Sequence, residues 1–368
     1  MKITRIILHH LRMNLRLPFV TSFGSIQSRD CIFLEAFSDD QVGYGECAAD
    51  RDPGFSYETS KTAWHILQDF LVPAVLNQKI SNTDDLQRRM SFVRGHPMAK
   101  AGLEMAVWDL LGKRRGVSLK QLLGGISSRV QVGVSIGIQE SSNELINTIE
   151  SYLALGYNRV KIKIKPGRDI DDTSAVRKAY PDIRLQVDAN SAYSLESARS
   201  LLPLDELDLL LIEQPLSEDD LWDHSLLQKE FNTPICLDES IISLRHARQA
   251  LEMKACKVIN IKSGRVGGLS QAVAIHDICR AHNVPVWCGG MLETGVGRAA
   301  NLALASLPGF TFPGDISATD RYYKEDITEQ RYTLNPGSTI TVPTGHGLGV
   351  NINRNMLERV TINRLTID

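Results

Sequence analysis

Two lysines lie two residues apart in an apolar run, Val160-Lys161-Ile162-Lys163-Ile164. Because side chains alternate across a β-strand, Lys161 and Lys163 share one face and the isoleucines share the other. A second ammonium group in a partly desolvated site favours the neutral form of a lysine, which can then act as a general base. The alternative interpretation is an exposed edge strand whose polar face contacts water.

Three carboxylates each follow a further apolar run. Oxygen ligands from neighbouring strands suit Mg²⁺, with Mn²⁺ as a substitute. One such residue alone is more typical of a helix N-cap or a structural ion pair, but three together favour a metal site. Zinc is disfavoured because no histidine or cysteine occupies these positions. The three segments are Val187-Asp188-Ala189-Asn190, Ile212-Glu213-Gln214-Pro215 and Leu237-Asp238-Glu239-Ser240.

A third lysine, Lys262, ends the run Asn260-Ile261-Lys262. In a barrel it would face Lys163 from the opposite side, so that two acid/base groups flank one substrate carbon. The alternative for Lys262 is a structural ion pair with Asp238 or Glu213. A Schiff-base aldolase also uses an interior lysine, but it would leave three carboxylates without a role. A barrel kept only for binding or scaffolding is the non-enzyme alternative.

The spacing of these residues predicts the elements that position them. Asp188, Glu213, Asp238 and Lys262 follow one another at intervals of 25, 25 and 24 residues, and one βα unit fits each interval. Eight such runs predict an α/β fold, a (β/α) barrel whose catalytic groups meet at the carboxyl ends of the strands. The runs are Val130–Gly137, Arg159–Ile164, Ile183–Val187, Leu209–Ile212, Pro234–Leu237, Val258–Ile261, Val284–Trp287 and, more weakly, Gly309–Pro313.

The pattern also predicts three regions: an α+β capping domain at 1–125, the barrel at 126–320 and a tail at 321–368 that rejoins the capping domain. The capping region has strand patterns at Ile3–Leu11 and Cys31–Phe37, a hairpin turn at Asp39–Gly43, and helical patterns at Tyr57–Leu76 and Ala99–Arg115. We expect strands in the tail at Tyr332–Leu334 and Ser338–Val342. We expect loops over the barrel mouth at Pro18–Ser28 and Asp50–Ser56.

Composition excludes several classes of protein. A net charge of −2 over 368 residues, with 43% hydrophobic and 23% charged residues, argues against nucleic-acid binding and disorder. No apolar stretch suits a signal peptide or membrane helix, so we expect a cytoplasmic protein with no membrane partner. The six cysteines are scattered, with no Cys-x-x-Cys pair. Hydrolase and dinucleotide-binding motifs are absent from the sequence, and no histidine ends a barrel strand.

With these residues assembled, the chain resembles the enolase superfamily, in the branch of o-succinylbenzoate synthases and N-acylamino acid (N-succinylamino acid) racemases. The likeness spans nearly the whole chain. Other branches place a histidine after the seventh strand, where this chain has Trp287-Cys288-Gly289-Gly290. Besides the lysines and carboxylates, the resemblance is carried by Ala101–Leu110, by Gly289–Arg298 and by Pro313–Ser317.

The resemblance implies a modified (β/α)7β TIM-type barrel with an N-terminal α+β capping domain completed by the C-terminal tail. It further implies Asp188, Glu213 and Asp238 as Mg²⁺ ligands. Lys163 and Lys262 are then the acid/base pair, and Lys161 supplies electrostatic support.

The implied substrate is a small carboxylate. Removing the proton beside its carboxylate makes a dianionic enediolate, which needs a Lewis acid and nearby ammonium groups. The expected activities are dehydration to 2-succinylbenzoate and racemisation of N-succinylamino acids, and Arg265 matches a position associated with the second. We also expect a homo-oligomer. The expected substrate-binding residues are Phe19, Phe23, Ser135, Asn190, Arg265, Met291 and Leu292.

Overall fold

The computed structural model describes residues 1–22 and 24–368; the predicted substrate-binding residue Phe23 lies outside the described residues. The chain begins with an antiparallel sheet of β1 (Arg5–Thr21), β2 (Gly24–Ser38) and β3 (Gln41–Cys47). Ser38 pairs with Gln41 across the turn, which confirms the predicted hairpin.

Helices cover this sheet. A Cβ atom at Gly45 would lie 2.1 Å from the carbonyl oxygen of Gly102, so glycine permits the close approach of strand and helix. The predicted helix at Tyr57–Leu76 is shorter and carries a π-helical turn at Leu67–Leu71, and two helices, α3 and α5, were not predicted. The helices are α1 (Ser60–Ile66), α2 (Val72–Val75), α3 (Thr83–Met90), α4 (Pro97–Arg115) and α5 (Leu119–Leu123).

The central part of the chain forms a curled sheet of seven parallel strands, as the repeated runs predict. Strand β4 (Arg129–Gln131) precedes it. The strands of the sheet, in spatial as well as chain order, are β5 (Val134–Ile136), β6 (Arg159–Lys163), β7 (Arg184–Asp188), β8 (Ile212–Glu213), β9 (Ile235–Leu237), β10 (Val258–Ile261) and β11 (Val286–Cys288).

Helices follow the strands in alternation and cover the outside of the sheet. A 3-10 helix at Arg199–Leu207 extends the third of them. They are α6 (Ser142–Ala154), α7 (Asp169–Ala179), α8 (Leu195–Ala198), α9 (Leu221–Glu230), α10 (Leu244–Met253), α11 (Leu269–Ala281) and α12 (Gly295–Ala305).

The predicted eighth strand at Gly309–Pro313 closes the barrel through two backbone bridges. Phe310 bridges to Val286 of β11, and Gly314 bridges to Val132, between β4 and β5. The amide of Gly133 also donates to the carbonyl oxygen of Gly314 at 2.8 Å. The segment pairs on both sides, so the predicted (β/α)7β barrel with a capping region is confirmed.

The tail contains a 3-10 helix (Thr319–Arg321), β12 (Thr339–Thr341), α13 (Arg354–Val360) and β13 (Thr361–Ile367). Strand β12 pairs with β4 beside the barrel, whereas β13 pairs antiparallel with β1 at the edge of the capping sheet. The strand expected at Tyr332–Leu334 is wrong. There the Tyr332 amide donates to the Thr319 hydroxyl, and its own hydroxyl donates to the Gly295 carbonyl oxygen, so side-chain contacts replace strand pairing.

The capping region and the barrel each have an apolar core, and the site lies where the two meet. The boundaries expected at residues 125 and 320 stay predictions. Across the described residues, no helix combines the length and the hydropathy that crossing a membrane requires.

Candidate active site

Lys161 lies at the bottom of a cavity at the carboxyl ends of the barrel strands. Its Nζ atom is 2.7 Å from Glu213 Oε2, 2.7 Å from Asp315 Oδ2 and 3.0 Å from Asp188 Oδ2. Burial disfavours the ammonium form, but the charges of Asp315, Glu213 and Asp188 outweigh it and hold the pKa of Lys161 well above its usual value. Lys161 is therefore a fixed cation, the state that the electrostatic role implied by the resemblance requires.

Lys163 lies two residues further along β6 and faces the same cavity. Its Nζ atom is 2.6 Å from Asp188 Oδ2. Burial favours the protonated carboxyl of Asp188, yet the ammonium groups of Lys163 and Lys161 hold its pKa well below the usual range. This side of the cavity therefore keeps its charges paired.

Lys262 enters the cavity from the other side of the barrel. Strands β6 and β10 are separated by three strands, so their ends face each other across the mouth. Lys262 Nζ is 2.8 Å from Asp238 Oδ2, as expected of the ion-pair alternative, and it also lines the cavity. The geometry thus leaves Lys262 both paired and facing the cavity.

Arg265 lies behind Asp238 and outside the lining of this cavity. Its Nη1 atom donates to Asp238 Oδ1, Nε donates to the carbonyl oxygen of Ile241 at 2.9 Å, and Nη2 donates to that of Asn260 at 2.7 Å. The guanidinium therefore positions Asp238, and its expected contact with substrate stays a prediction.

The three predicted metal ligands lie at the ends of β7, β8 and β9. Each forms an ion pair: Asp188 with Lys163, Glu213 with Lys161, and Asp238 with Lys262. Among residues 1–22 and 24–368, no three His, Cys, Asp or Glu side chains are grouped closely enough to hold a metal ion as they stand. Asp188 and Glu213 nevertheless converge on one point, the Lys161 ammonium. Burial and then the charge of Asp188 raise the pKa of Glu213.

The donor chemistry of this group fits a hard divalent cation. All three side chains offer carboxylate oxygens, the ligands that Mg²⁺ prefers. Nearby, the buried side-chain Oδ1 atom of Asn190 has no hydrogen-bond partner among the described residues. The backbone N–H of Asn190 donates to Asp188 Oδ1 at 3.0 Å. The residues therefore fit Mg²⁺, and its binding here stays a prediction.

Most of the predicted site residues meet in this one cavity. We call the barrel side chains Lys161, Lys163, Asp188, Glu213, Asp238 and Lys262 the floor. Of the remaining predictions, Arg265 lies outside the lining and Phe23 outside the described residues. The predicted residues that line the cavity are Phe19, Ser135, Lys161, Lys163, Asn190, Lys262, Met291 and Leu292.

Residues of the capping region cover the cavity; Phe19 was among the predicted site residues, whereas sequence reasoning missed Arg29 and Glu58. We call Phe19, Arg29, Phe55 and Glu58 the roof; all four line the cavity. The ring of Phe55 lies 4.4 Å from Lys262 Nζ, and Asp50–Ser56 does reach the barrel mouth as expected. Within Pro18–Ser28, predicted as a loop, residues 18–21 instead continue β1 and residues 24–28 belong to β2.

Two buried charged groups hold the roof in place: Arg29 contacts the barrel, and Glu58 contacts the capping helix α4. Arg29 Nε donates to the carbonyl oxygen of Met291 at 3.0 Å, and Arg29 Nη1 is 3.1 Å from Asp50 Oδ2. Glu58 accepts from the amides of Met98 and Ala99, but burial outweighs these bonds and raises its pKa to about 7. A lone buried arginine or glutamate in a strand or loop pattern gave no signal in the sequence.

Two family models together match nearly the whole chain. Residues 2–124 match the mandelate racemase / muconate lactonizing enzyme N-terminal domain, and residues 144–356 match the enolase C-terminal domain-like family. The chain belongs to the enolase superfamily. The resemblance carried by the lysines, carboxylates and glycine motif is thereby confirmed.

Individual relatives within the superfamily are similar over their full length. An o-succinylbenzoate synthase from Geobacillus stearothermophilus is 51% identical over 97% of this chain and 95% of its own. An N-succinylamino acid racemase from Amycolatopsis sp. is 45% identical over 100% of both chains. The crystal structure of an enolase superfamily member from Listeria innocua covers 100% of this chain and 99% of its own, with 41% identity and a TM-score of 0.96.

Proposed function

We propose that this chain is an o-succinylbenzoate synthase, a carbon–oxygen lyase of menaquinone biosynthesis. It dehydrates 2-succinyl-6-hydroxy-2,4-cyclohexadiene-1-carboxylate to 2-succinylbenzoate. The observation that carries the proposal is that Lys163 and Lys262 line one cavity from opposite sides of the barrel. Full-length similarity to synthases at up to 51% identity supports it.

In this reaction Lys163 acts as both base and acid. Its neutral amine takes the proton from the carbon beside the substrate carboxylate, and the resulting ammonium gives that proton to the departing hydroxyl group. The products are 2-succinylbenzoate and water, so the enzyme is unchanged. Lys161 and Lys262 stay protonated and face the negative charge that develops on the substrate.

The metal assignment follows from the donor set and from superfamily membership. Asp188, Glu213 and Asp238 would hold Mg²⁺, with Mn²⁺ as a substitute. When bound, the ion supplies Lewis-acid stabilisation of the substrate carboxylate. Phe19 and Phe55 of the roof exclude water, which strengthens the electrostatic interactions beneath them.

Racemisation of N-succinylamino acids is the second candidate. It requires two bases, one on each face of the α-carbon, and the placement of Lys163 and Lys262 on facing strands favours it. One lysine takes the proton and the other returns a proton from the far side, which inverts the centre. The same cavity therefore suits both reactions.

The first test is steady-state kinetics of the Mg²⁺-loaded protein with the cyclohexadiene substrate and, in parallel, with N-succinylated amino acids. We expect a synthase kcat/KM of about 10⁴ M⁻¹s⁻¹ or more, abolished by a chelator and restored by Mg²⁺. Turnover of succinylamino acids alone would replace the synthase by the racemase. If the protein turns over neither substrate, both the synthase and the racemase assignments are wrong.

Two expectations about the whole protein stay predictions. The six cysteines are free and buried, which supports a reducing compartment such as the cytoplasm. A homo-oligomer is expected from the resemblance, and light scattering of the purified protein measures it.

A further inference from the structure

A separate cleft lies between the capping region and the barrel and shares no lining residue with the central cavity. The start of α4 and the residues before it form the capping side, and the start of α10 forms part of the barrel side. The volume of the cleft is about 700 Å³, so it can hold a small organic molecule. We call it the basic cleft.

The basic cleft carries positive charge without a matching carboxylate. In the described part of the chain, three cations and no aspartate or glutamate line it, and none of the three forms a salt bridge. By contrast, Arg248 lies one turn further along α10, outside the lining, and pairs with Glu252 at 3.7 Å. The cations of the cleft are Arg94, Lys100 and Arg245.

Lys100 is the least exposed of these cations. Its half-buried ammonium donates to the carbonyl oxygen of Val93; burial lowers its pKa, and the negative charge of Glu58 opposes that shift. The Glu58 carboxylate lines the central cavity instead of the cleft, and it already accepts from two amides of α4. An ammonium group has three N–H donors, so Lys100 retains donors for a ligand in the cleft.

The barrel side adds the positive end of a helix. Ser243 is the N-cap of the ten-residue helix α10 and lines the cleft, as does His246, whose Nδ1 atom is 2.9 Å from the Ser243 hydroxyl oxygen. The dipole of α10 therefore favours an anion at the same place as the three cations. The neighbouring carboxylates line another cavity, beyond Tyr57 and His246; they are Glu218, Asp219 and Asp220.

We propose that the basic cleft binds a phosphate group, either free or as part of a small phosphorylated molecule. The phosphate bridges Arg94 and Lys100 of the capping region to Arg245 of the barrel. Two guanidinium groups and one ammonium group offer many N–H donors to the oxygens of a group whose charge is about −2. The inference goes beyond the proposed function and does not depend on it, because it uses none of the floor residues.

The test is calorimetric titration of the Mg²⁺-loaded protein with phenyl phosphate, inorganic phosphate and benzenesulfonate. Benzenesulfonate has nearly the shape of phenyl phosphate but only one negative charge. We expect phenyl phosphate to bind about tenfold more tightly than benzenesulfonate at low salt, with the difference falling as salt is added. Tighter binding of phenyl phosphate than of inorganic phosphate supports a phosphorylated molecule as the ligand, and the reverse order supports free phosphate.

The double variant Arg94→Gln/Arg245→Gln should weaken binding of phenyl phosphate about tenfold or more. Both side chains are exposed, so the fold should tolerate the change. The matched control is Arg88→Gln/Arg248→Gln, which removes the same charge from exposed positions of α3 and α10 outside the cleft and should leave the affinity within about twofold.

Amide hydrogen exchange locates the bound anion. Phenyl phosphate should slow exchange in residues 93–100 and 243–246 of the wild type, and should do so much less in the double variant of the cleft. The proposal is overturned by absence of saturable binding of either phosphate compound, by affinity that the cleft variant leaves intact, or by protection confined to the strands that carry Lys163 and Lys262.

Discussion

The floor and the roof of the cavity differ in what their buried carboxylates contact. On the floor each carboxylate faces an ammonium or guanidinium group, and the pKa of Asp188 is held well below its usual range. In the roof Glu58 accepts backbone N–H bonds from Met98 and Ala99, and burial raises its pKa to about 7. Asp188 and Lys161 of the floor therefore stay charged at neutral pH, whereas Glu58 of the roof titrates near neutrality.

The difference separates two tasks. A floor of paired charges presents fixed electrostatics to the substrate, as stabilisation of developing charge requires. A roof from the capping region supplies apolar cover, with Phe55 against Lys262. We expect changes in the floor to affect chemistry and changes in the roof to affect stability and specificity.

The largest effect should come from Lys163→Ala on the floor. Loss of the base should lower synthase and racemase kcat/KM by about 10³-fold or more, with little change in unfolding temperature. Steady-state rates and thermal unfolding measure the two quantities. Lys165→Ala, at an exposed position in the same segment, is the control, and an active Lys163→Ala enzyme would contradict the assignment.

Lys262→Arg should separate the two activities. Arginine keeps the positive charge but is a poor base, so racemisation should fall by about 10³-fold while the synthase keeps part of its rate. Deuterium incorporation at the α-carbon of each enantiomer, read by NMR, reports the two bases separately. Racemase rates equal to those of the wild type would contradict the assignment of Lys262 as the second base.

Glu58→Gln should change the pH dependence of stability. Because the folded pKa of about 7 lies above the ordinary 4.5, Glu58 favours the folded state at low pH, and this contribution is lost as pH rises through 7. The variant should remove up to about 3 kcal/mol of the fall in unfolding free energy between pH 5 and pH 8. Urea unfolding at both pH values measures it, with the exposed Glu206→Gln as control; an unchanged slope contradicts the pKa.

The smallest effect should come from Phe55→Leu. Loss of the aromatic face over Lys262 should reduce kcat/KM about threefold to tenfold, as expected for a cation–π contact. Steady-state kinetics on both substrates measure the change. Phe70→Leu, a capping-region phenylalanine outside the cavity lining, should have no effect, and equal kinetics for the two variants would remove Phe55 from the site.

Sequence patterns predicted the floor because the positions of its residues follow from short-range regularities of the chain. Alternation along β6 puts Lys161 and Lys163 on one face, and the length of one βα unit brings Asp188 and Glu213 to neighbouring strand ends. In the roof, Phe19 was predicted, but Arg29 and Glu58 were not, because their contacts with Met291 and with Met98 and Ala99 join segments far apart in the chain. Phe19 pairs with Ile26, so residues predicted to lie in a loop extend β1 and β2 instead.

The sequence by itself thus determined the barrel, the converging lysines and carboxylates, and the class of reaction they suit, because strand periodicity and unit length operate over a few tens of residues. Only the tertiary structure decided which cation faces which carboxylate, that Arg265 lies behind Asp238, and that Phe55 covers Lys262. These contacts join residues far apart in the chain, and the burial and charge that set each ionisation arise only when the capping region closes over the barrel.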